Sequence, residues 1–331
     1  MPRLCFHAPL RHGWLRFCLL ALLFLSAPLA ARAGYPDRPV TLIVPWSAGG
    51  PADAAARLIA RDLSQSIGQS VVVENKPGAG GNIGTLQATR AAPDGYTLLL
   101  ATSSTNAINP WLMKAQPFKP VDDLTPVALV TSNSNILVVR ADSPYASLDA
   151  LLRDARLRPG ALNYASGGIG SSQHVAGSMF TQQLGLDIVH VPYNGGGPAG
   201  NALLAGEVSF ALDTGTIAFI KSGRLKALAV AAAQRLPMLP EVPTFTELGY
   251  PGMVTGAWYA IAGPAGLPQP VTDFLNEKIN AVMASPDLKA RLGELGAVAA
   301  SPMTPAQVLD FMQAELERYK NVVAQFGAVA Q

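Results

Sequence analysis

The feature that most constrains the fold is the alternation of short apolar runs with segments of helical periodicity along most of the chain. The apolar runs are continuous, which is typical of strands buried on both faces of a parallel sheet. Between them, segments such as 54–67 and 175–184 place apolar residues three or four positions apart. The pattern predicts an α/β protein with parallel sheets covered by helices. The predicted strands are 40–45, 70–74, 96–101, 135–140, 162–165, 188–192, 208–212 and 225–231.

The length of the chain predicts two lobes, because about 300 residues exceed what one compact core normally holds. Polar residues Ser132-Asn133-Ser134 interrupt an extended apolar run over 121–143 and suggest a first crossing between lobes. Prolines at 237, 240 and 243 suggest a second crossing, since proline disfavours both a continuing helix and a central strand. A strand near 258–262 and helices near 271–284 and 305–326 then rejoin the first lobe. We therefore expect a first lobe of 34–133 and 244–331, a second lobe of 134–243, and a ligand cleft between them.

The first 33 residues have the three parts of a secretory signal peptide. Arg3, Arg11 and Arg16 supply a basic start, residues 17–25 form an apolar run, and Ala31-Arg32-Ala33 offers a small-residue cleavage site. The apolar run is short for a membrane span. We expect cleavage after Ala33 and export of the mature chain.

Removal of this segment changes the charge and the cysteine content of the protein. Four of the 24 Lys and Arg residues and none of the 22 Asp and Glu residues lie in it, which leaves 20 basic and 22 acidic residues, near −2. Such a balance gives no basic footprint for nucleic acid. Both cysteines, Cys5 and Cys18, also lie in this segment, so the predicted mature chain has no disulfide and depends on its core for stability.

Four glycine-rich loops stand where a predicted strand or turn passes into a helical pattern. They are SAGGP at 47–51 (the first loop), GAGGN at 78–82 (the second loop), GGIGSS at 167–172 (the third loop) and GGGP at 195–198 (the fourth loop). Glycine lets backbone N–H groups approach a ligand, and the N-terminus of a helix favours an anion. In open α/β sheets, loops at the carboxyl ends of strands form the ligand crevice. Any one loop is equally well explained as a connecting turn, whereas four together favour a binding cleft.

Two short patterns in the sequence could instead belong to an enzyme site. Gly195-x-Gly197-x-x-Gly200 fits a dinucleotide fingerprint and precedes Asp213 at the end of the next strand, but the following helix is short. Ser171, Ser172 and His174 lie within one turn, without the spacing of a nucleophilic triad or a Gly-x-Ser-x-Gly elbow. Helix capping explains Ser171 equally well, while His174 either faces the cleft or packs locally. His174 and His190 lack a second ligand at metal-binding spacing, so we expect no metal site.

Several segments in the same order resemble the receptors of tripartite tricarboxylate transporters, the Bug family of periplasmic binding proteins. They are VPWSAGGPAD at 44–53, ENKPGAGG at 74–81, PDGYTL at 93–98, AINP at 107–110, 164–174 and HVPY at 190–193. The resemblance implies a two-lobed type II periplasmic binding fold that closes on a small organic acid. It further implies a periplasmic, monomeric receptor that delivers this carboxylate to a membrane transporter, with no cofactor and no catalytic residues.

The resemblance also implies which residues contact the ligand. Members of the family bind a carboxylate through backbone amides and ordered water at loops that match the first and third loops here. Position by position this indicates Ser47, Ala48, Gly49, Gly50, Gly168, Gly170, Ser171 and Ser172. His174, Tyr193, Asp213 and Ser104 fall at matching cleft positions, while Trp46 offers an apolar wall and Asp53 complements the dipole of the first helix.

Two departures from the family pattern bear on the ligand. Asn194 stands where a lysine is frequent, and Trp46 replaces a common phenylalanine, which predicts a less cationic pocket with a narrower entrance. A secreted enzyme with a dinucleotide-like site, and a receptor that signals to a membrane sensor, are the alternatives to a transport receptor.

Overall fold

The computed structural model describes residues 34–326, which form two β-sheets with helices packed on them. The predicted signal peptide and both cysteines lie outside the described residues. Both sheets belong to one compact unit that begins at Arg38. The strands in chain order are β1 (Val40–Val44), β2 (Val71–Asn75), β3 (Thr97–Thr102), β4 (Leu124–Ser134), β5 (Ile136–Arg140), β6 (Asn163–Ser166), β7 (Val189–Pro192), β8 (Phe210–Asp213), β9 (Leu225–Val230), β10 (Gly256–Pro264) and β11 (Val298–Ala299).

Helices follow most of the strands, as the alternating sequence pattern predicts. They are α1 (Pro51–Ile67), α2 (Asn82–Thr89), α3 (Asn109–Leu112), α4 (Leu148–Leu157), α5 (Ser172–Gln183), α6 (Gly196–Ala205), α7 (Ile217–Lys221), α8 (Gln269–Ala284), α9 (Pro286–Glu294) and α10 (Pro305–Phe326). A 3₁₀ turn at Ala79–Gly81 precedes α2, and a π-helical turn at Ser104–Ile108 precedes α3. Among the described residues, none of the helices has the length and apolar character that a membrane span requires.

The α/β class is confirmed, but the expectation of purely parallel sheets is wrong. The first sheet has the order β11-β4-β10-β3-β1-β2 and the second the order β7-β6-β8-β5-β9. In the first, β1 pairs in parallel with β2 and β3, whereas β10 is antiparallel to both β3 and β4. In the second, β6 is parallel to β7 and β8, whereas β5 is antiparallel to β8 and β9. The reversed strands include those by which the chain enters a sheet from the other one, β5 in the second sheet and β10 in the first. The edge strand β11 is also antiparallel to its neighbour β4.

The two sheets are joined at a cluster of three backbone segments, which we call the crossing point: Asn135, Ala231 and Thr255. The Asn135 N–H donates to the Thr255 carbonyl at 3.0 Å, and the Ala231 N–H donates to the Asn135 carbonyl at 2.8 Å. The Thr255 N–H donates to the Ala231 carbonyl at 3.0 Å. The polar run Ser132–Ser134, expected to be the first crossing, instead completes β4 in register with β10, and the chain changes sheet at the single residue Asn135.

The proline-rich segment near 237–243 is not a crossing. Leu236, Leu239 and Val242 pack into an apolar cluster of the second sheet, and the Phe245 N–H donates to the Val230 carbonyl at 3.0 Å. The chain therefore stays beside β9 through these prolines and returns to the first sheet only at Thr255. Proline prevents regular structure here, but apolar burial decides on which sheet the segment lies.

Helix starts at the cleft lie earlier than apolar periodicity indicates. Helix α1 begins at Pro51 rather than 54, and α5 begins at Ser172 rather than 175. The added first turns, Pro51-Ala52-Asp53 and Ser172-Gln173-His174, consist mostly of small and polar residues, so they carry no apolar stripe. These first turns border the cleft between the sheets.

Candidate functional site

A cavity between the two sheets collects the N-termini of three helices. The cavity opens to solvent, and the space between its atoms, including solvent at its mouth, is about 380 Å³. Helices α1, α5 and α6 all begin at its wall, together with residues from β3, β10 and the segment after β8. Its lining consists of Trp46, Gly50, Pro51, Ala52, Thr102, Ser104, Ser171, Ser172, Gln173, Gly196, Thr214, Ala257 and Tyr259.

The first loop leads from β1 into α1 with the backbone turned towards the cavity. Gly49 has φ of +79°, and Gly50, the N-cap, is extended and lacks a side chain to cap the helix. Pro51 opens the helix, where its missing N–H costs no intrahelical bond. Among the described residues, nothing accepts a hydrogen bond from the N–H groups of Ala52 and Asp53. The start of α1 therefore offers two free donors at or near the cavity.

Asp53 holds the first loop rather than lining the cavity. Its carboxylate accepts the Gly49 N–H at 2.9 Å, the Asn75 Nδ2 at 2.9 Å and the Arg57 Nε at 3.0–3.1 Å. Burial acts to raise the pKa of Asp53, but the hydrogen bonds from Arg57, Gly49 and Asn75 outweigh it and lower the pKa below its ordinary value. Both oxygens are thus committed to neighbours on α1, β2 and the loop itself.

The third loop leads from β6 into α5 and is closed by its own hydrogen bonds. Gly168 and Gly170 have φ of +108° and +83°, conformations that favour glycine. Ser171 caps the helix by accepting the His174 N–H at 3.1 Å, which confirms the predicted cap. The N–H groups of Ser172 and Gln173, both at the cavity wall, donate to no acceptor in the described part of the chain. They are the free donors of this helix start.

Gln173 links the third loop to the second sheet. Its Oε1 accepts the Gly167 N–H at 2.8 Å, and its Nε2 donates to Asp213 at 2.6 Å. Asp213 also accepts the Gly215 N–H at 2.6 Å. Burial raises the pKa of Asp213, while these two hydrogen bonds favour its charged form. Asp213 does not line the cavity itself and instead supports its wall through the hydrogen bonds to Gln173 and Gly215.

The fourth loop lies directly against the first loop. The Ser47 hydroxyl donates to the Asn194 carbonyl, and a Cβ on Gly50 would stand 3.3 Å from the Gly197 nitrogen. A Cβ on Gly197 would stand 3.2 Å from the Gly49 carbonyl carbon. The two lobes thus meet across the cleft through backbone. This close approach accounts for Gly195 and Gly197 of the dinucleotide-like fingerprint, whereas a Cβ on Gly200 would have no atom within 4 Å.

A second contact between the lobes lies beside the second loop. Asn109 on α3 donates through Nδ2 to the Gly80 carbonyl at 2.9 Å and to Asn82 at 3.0 Å. Its other side-chain atom, Oδ1, stands only 2.0 Å from where a Cβ on Gly170 would be. Gly170 belongs to the second lobe, so this fit exists only while the lobes are together.

The structure brings part of the predicted residue set to the cavity. Trp46, Gly50, Ser104, Ser171 and Ser172 line it. Other predicted residues line two neighbouring grooves: Ala48, Gly49 and Asp213 in one, and Gly168 and Tyr193 in the other. The remaining four, Ser47, Asp53, Gly170 and His174, hold the loops together.

The cavity residues missed by sequence reasoning lie at helix starts and on or just after strands. They are Pro51, Ala52, Gln173 and Gly196 at helix starts, and Thr102, Thr214, Ala257 and Tyr259 on or after β3, β8 and β10. Gln173 and Thr214 adjoin named residues, so their neighbours were a signal. Thr102 and Tyr259 lie on β3 and β10, and nothing in the sequence marks them as cavity residues. Burial, reinforced by the nearby charge of Asp213, raises the pKa of Tyr259, which keeps its hydroxyl protonated as a potential donor.

The cavity combines free amide donors with uncharged polar side chains. Its lining includes no lysine, arginine or histidine. Among the described residues, no cluster of three or more His, Cys, Asp or Glu side chains is placed to hold a metal ion. An anion in this cavity would be stabilised by backbone N–H groups and by the dipoles of α1, α5 and α6.

Comparison with known proteins gives a consistent family assignment. The family model "Tripartite tricarboxylate transporter family receptor" matches residues 55–328. Protein BugT of Bordetella pertussis is 39% identical over 309 residues, covering 92% of this chain and 94% of that protein. The structure of the periplasmic binding protein BugD has a TM-score of 0.86 at 35% identity and covers 90% of this chain and 100% of its own.

Two similar structures contain carboxylates. A protein of R. palustris with adipate has a TM-score of 0.85 at 33% identity and covers 88% of this chain and 98% of its own. MatC from Rhodopseudomonas palustris with bound malate has a TM-score of 0.82 at 34% identity and covers 87% of this chain and 100% of its own.

Proposed function

Because the chain belongs to the tripartite tricarboxylate transporter receptor family, we propose that it is a periplasmic receptor that captures a small carboxylate between its two lobes. The observation that carries this proposal is that α1, α5 and α6 all begin at one cavity. Their first N–H groups lack acceptors in the described chain. Adipate and malate in two related structures indicate the ligand class. The proposal includes delivery to a membrane transporter and no enzymatic step.

Capture follows from the geometry of the cleft. The two lobes are joined at the crossing point, and their glycine-rich loops meet only when they are closed. A carboxylate bound to the first lobe at α1 would complete the set of donors by drawing in Ser172 and Gln173 of α5. Binding energy then favours the closed state. We infer that the protein acts as a monomer without a cofactor and that Ser171, Ser172 and Gly50 lie at the carboxylate.

A thermal-shift screen tests the ligand class. We expect malate or adipate to raise the melting temperature in a concentration-dependent way, because a ligand at about 100 times its Kd adds roughly 2.7 kcal/mol to the free energy of unfolding. The corresponding diamides, which have similar shapes and no charge, are the matched control. Absence of stabilisation by these and by a broader set of organic and aromatic acids would contradict the proposal.

Replacement of Ser172 tests the role of the backbone donor. Ser172→Pro removes one N–H at the first position of α5, where proline is tolerated. Since a hydrogen bond to a charged group contributes about 1.5–3 kcal/mol, we expect affinity to fall roughly 10-fold to 100-fold. Ser172→Ala, which keeps the N–H and removes only the hydroxyl, is the control. Equal affinities of the two variants for the same carboxylate, measured by calorimetry, would show that this amide is not used.

A further inference from the structure

His174, expected from the sequence either to face the cleft or to pack locally, does not reach the cavity. Its side chain is buried, and it is absent from the cavity lining. Its ring stacks on His190 of β7 with centroids 4.5 Å apart, and His190 in turn stacks on Tyr164 of β6 at 4.8 Å. The imidazole therefore sits behind the third loop, on the side of the second sheet.

The His174 imidazole accepts a hydrogen bond from one backbone amide of the third loop. The Gly170 N–H donates to His174 Nδ1 at 3.3 Å. The other loop amides with partners use the Gln173 side chain for Gly167, the Ser166 hydroxyl for Gly168 and the Gly168 carbonyl for Ser171. With these donors occupied, the next two N–H groups along the chain, those of Ser172 and Gln173, are the ones left for a ligand.

We propose that His174 is a positioning residue for carboxylate binding, which acts by holding the Gly170 N–H and thereby orienting the free amides at the start of α5. This inference rests on the function proposed above. The Gly170 N–H can donate only to an unprotonated Nδ1, so the ring must be neutral with its proton on Nε2. A second proton on the ring would make Nδ1 a donor that faces the Gly170 N–H donor. The hydrogen bond between them would then break, and the loop would lose this contact.

A change in the protonation of His190 would disturb the surrounding hydrogen bonds less than a change in the protonation of His174. Its Nε2 lies 2.7 Å from the Ser166 hydroxyl, which also lies 3.4 Å from the Gly168 carbonyl. The hydroxyl can therefore donate to His190 or, if His190 is itself the donor, turn to Gly168. Of the two rings, His174 is therefore the one that must keep an unprotonated nitrogen to accept a hydrogen bond.

The surroundings keep His174 neutral at ordinary pH. Burial, and secondly the charge that His190 would carry, lower the pKa of His174 to about 4. Burial lowers the pKa of His190 to about 4 and raises that of Tyr164 to about 12. The nearby Asp213 on β8 is tied to Gln173 and Gly215.

A pair of substitutions separates positioning from simple packing. His174→Asn keeps an acceptor near the position of Nδ1 and cannot gain a charge, whereas His174→Leu keeps comparable bulk and has no acceptor. With malate and adipate as probes at pH 7.5, we expect the Leu variant to lose affinity on the order of tenfold and the Asn variant to stay within a few-fold of wild type. Below pH 5 the wild type should lose affinity faster than the Asn variant. Equal affinities for the Asn and Leu variants, or parallel pH profiles of wild type and Asn variant, would overturn the proposal.

A measurement without ligand keeps this test independent of the proposed function. Nitrogen NMR of the wild type should show an unprotonated Nδ1 on His174, and exchange of the Gly170 amide should be faster in the Leu variant than in the Asn variant. Failure of the wild type to bind any carboxylate would refute the receptor function and not this hydrogen bond. A protonated Nδ1 or unchanged Gly170 exchange in the Leu variant would refute the positioning role.

Discussion

Single residues around the proposed site act mostly by arranging backbone N–H groups. Asp53, Gln173 and His174 each accept hydrogen bonds from loop amides, and in doing so they determine which N–H groups remain free at the cavity. The sequence indicated the glycines and serines of the loops, because flexible backbone before a helix has a recognisable local pattern. The sequence did not distinguish the residues that line the cavity from those that hold the surrounding loops in place. That distinction depends on the rotamer and burial of each side chain.

Gly170 provides a prediction at this scale, because its neighbour Asn109 lies in the other lobe. In Gly170→Ala the new Cβ would stand 2.0 Å from Asn109 Oδ1, so the closed form should be blocked. Gly266→Ala is the matched control, since Gly266 has the same φ of +83° with no atom within 4 Å of the new Cβ. Both variants carry the left-handed backbone strain of about 1–2 kcal/mol.

Binding should separate the two glycine variants. We expect the affinity of Gly170→Ala for malate or adipate to fall by about 100-fold or more, with small-angle scattering showing no compaction on addition of the probe. Gly266→Ala should bind as the wild type does. Similar affinities in both variants would show that the contact between Gly170 and Asn109 is not part of closure.

At the scale of elements, most strands and helices were predictable and their connections were not. Most strands are local runs of apolar residues, so their positions follow from composition over five or six residues. The direction of β4, β5 and β10 depends on how the chain passes between sheets, which is a long-range property. Ser132–Ser134 read as an interruption because polar residues are unusual in a strand, yet pairing with β10 keeps them in the sheet.

The crossing point gives a prediction for elements. Asn135 Nδ2 donates to Thr255 Oγ1 at 3.0 Å in buried surroundings. Thr255→Val removes this acceptor and leaves a buried amide donor unpaired, so we expect the free energy of unfolding to fall by about 1–3 kcal/mol. Thr131→Val is the control, because the buried Thr131 hydroxyl has no partner among the described residues. Urea denaturation should show little or no loss for Thr131→Val, and an equal loss in both variants would contradict this account.

At the scale of the whole molecule, the stacked histidines link stability to pH. Burial lowers the pKa values of both His174 and His190 to about 4 from an ordinary 6.5. Between these pH values the unfolded chain binds more protons than the folded one, so the free energy of unfolding decreases as pH falls from 6.5 towards 4. Protonation of the buried Asp213, whose pKa is raised, acts in the opposite direction.

Urea denaturation between pH 7 and 4 measures this dependence. We expect a steep loss of stability in the wild type and a flatter profile in the double variant His174→Asn, His190→Gln, neither of whose new side chains titrates. Parallel profiles for the two proteins would show that other groups cause the loss.

What the sequence by itself determined is the α/β class, most strands, the glycine-rich loops and the family, because each depends on runs of neighbouring residues. Only the tertiary structure decided that the chain changes sheet at Asn135 and Thr255, that Thr102 and Tyr259 share a cavity with Ser172, and that His174 supports the third loop. These relations join residues far apart in the chain, and their geometry is set by packing of the two lobes against each other. The composition of a short segment does not determine that packing.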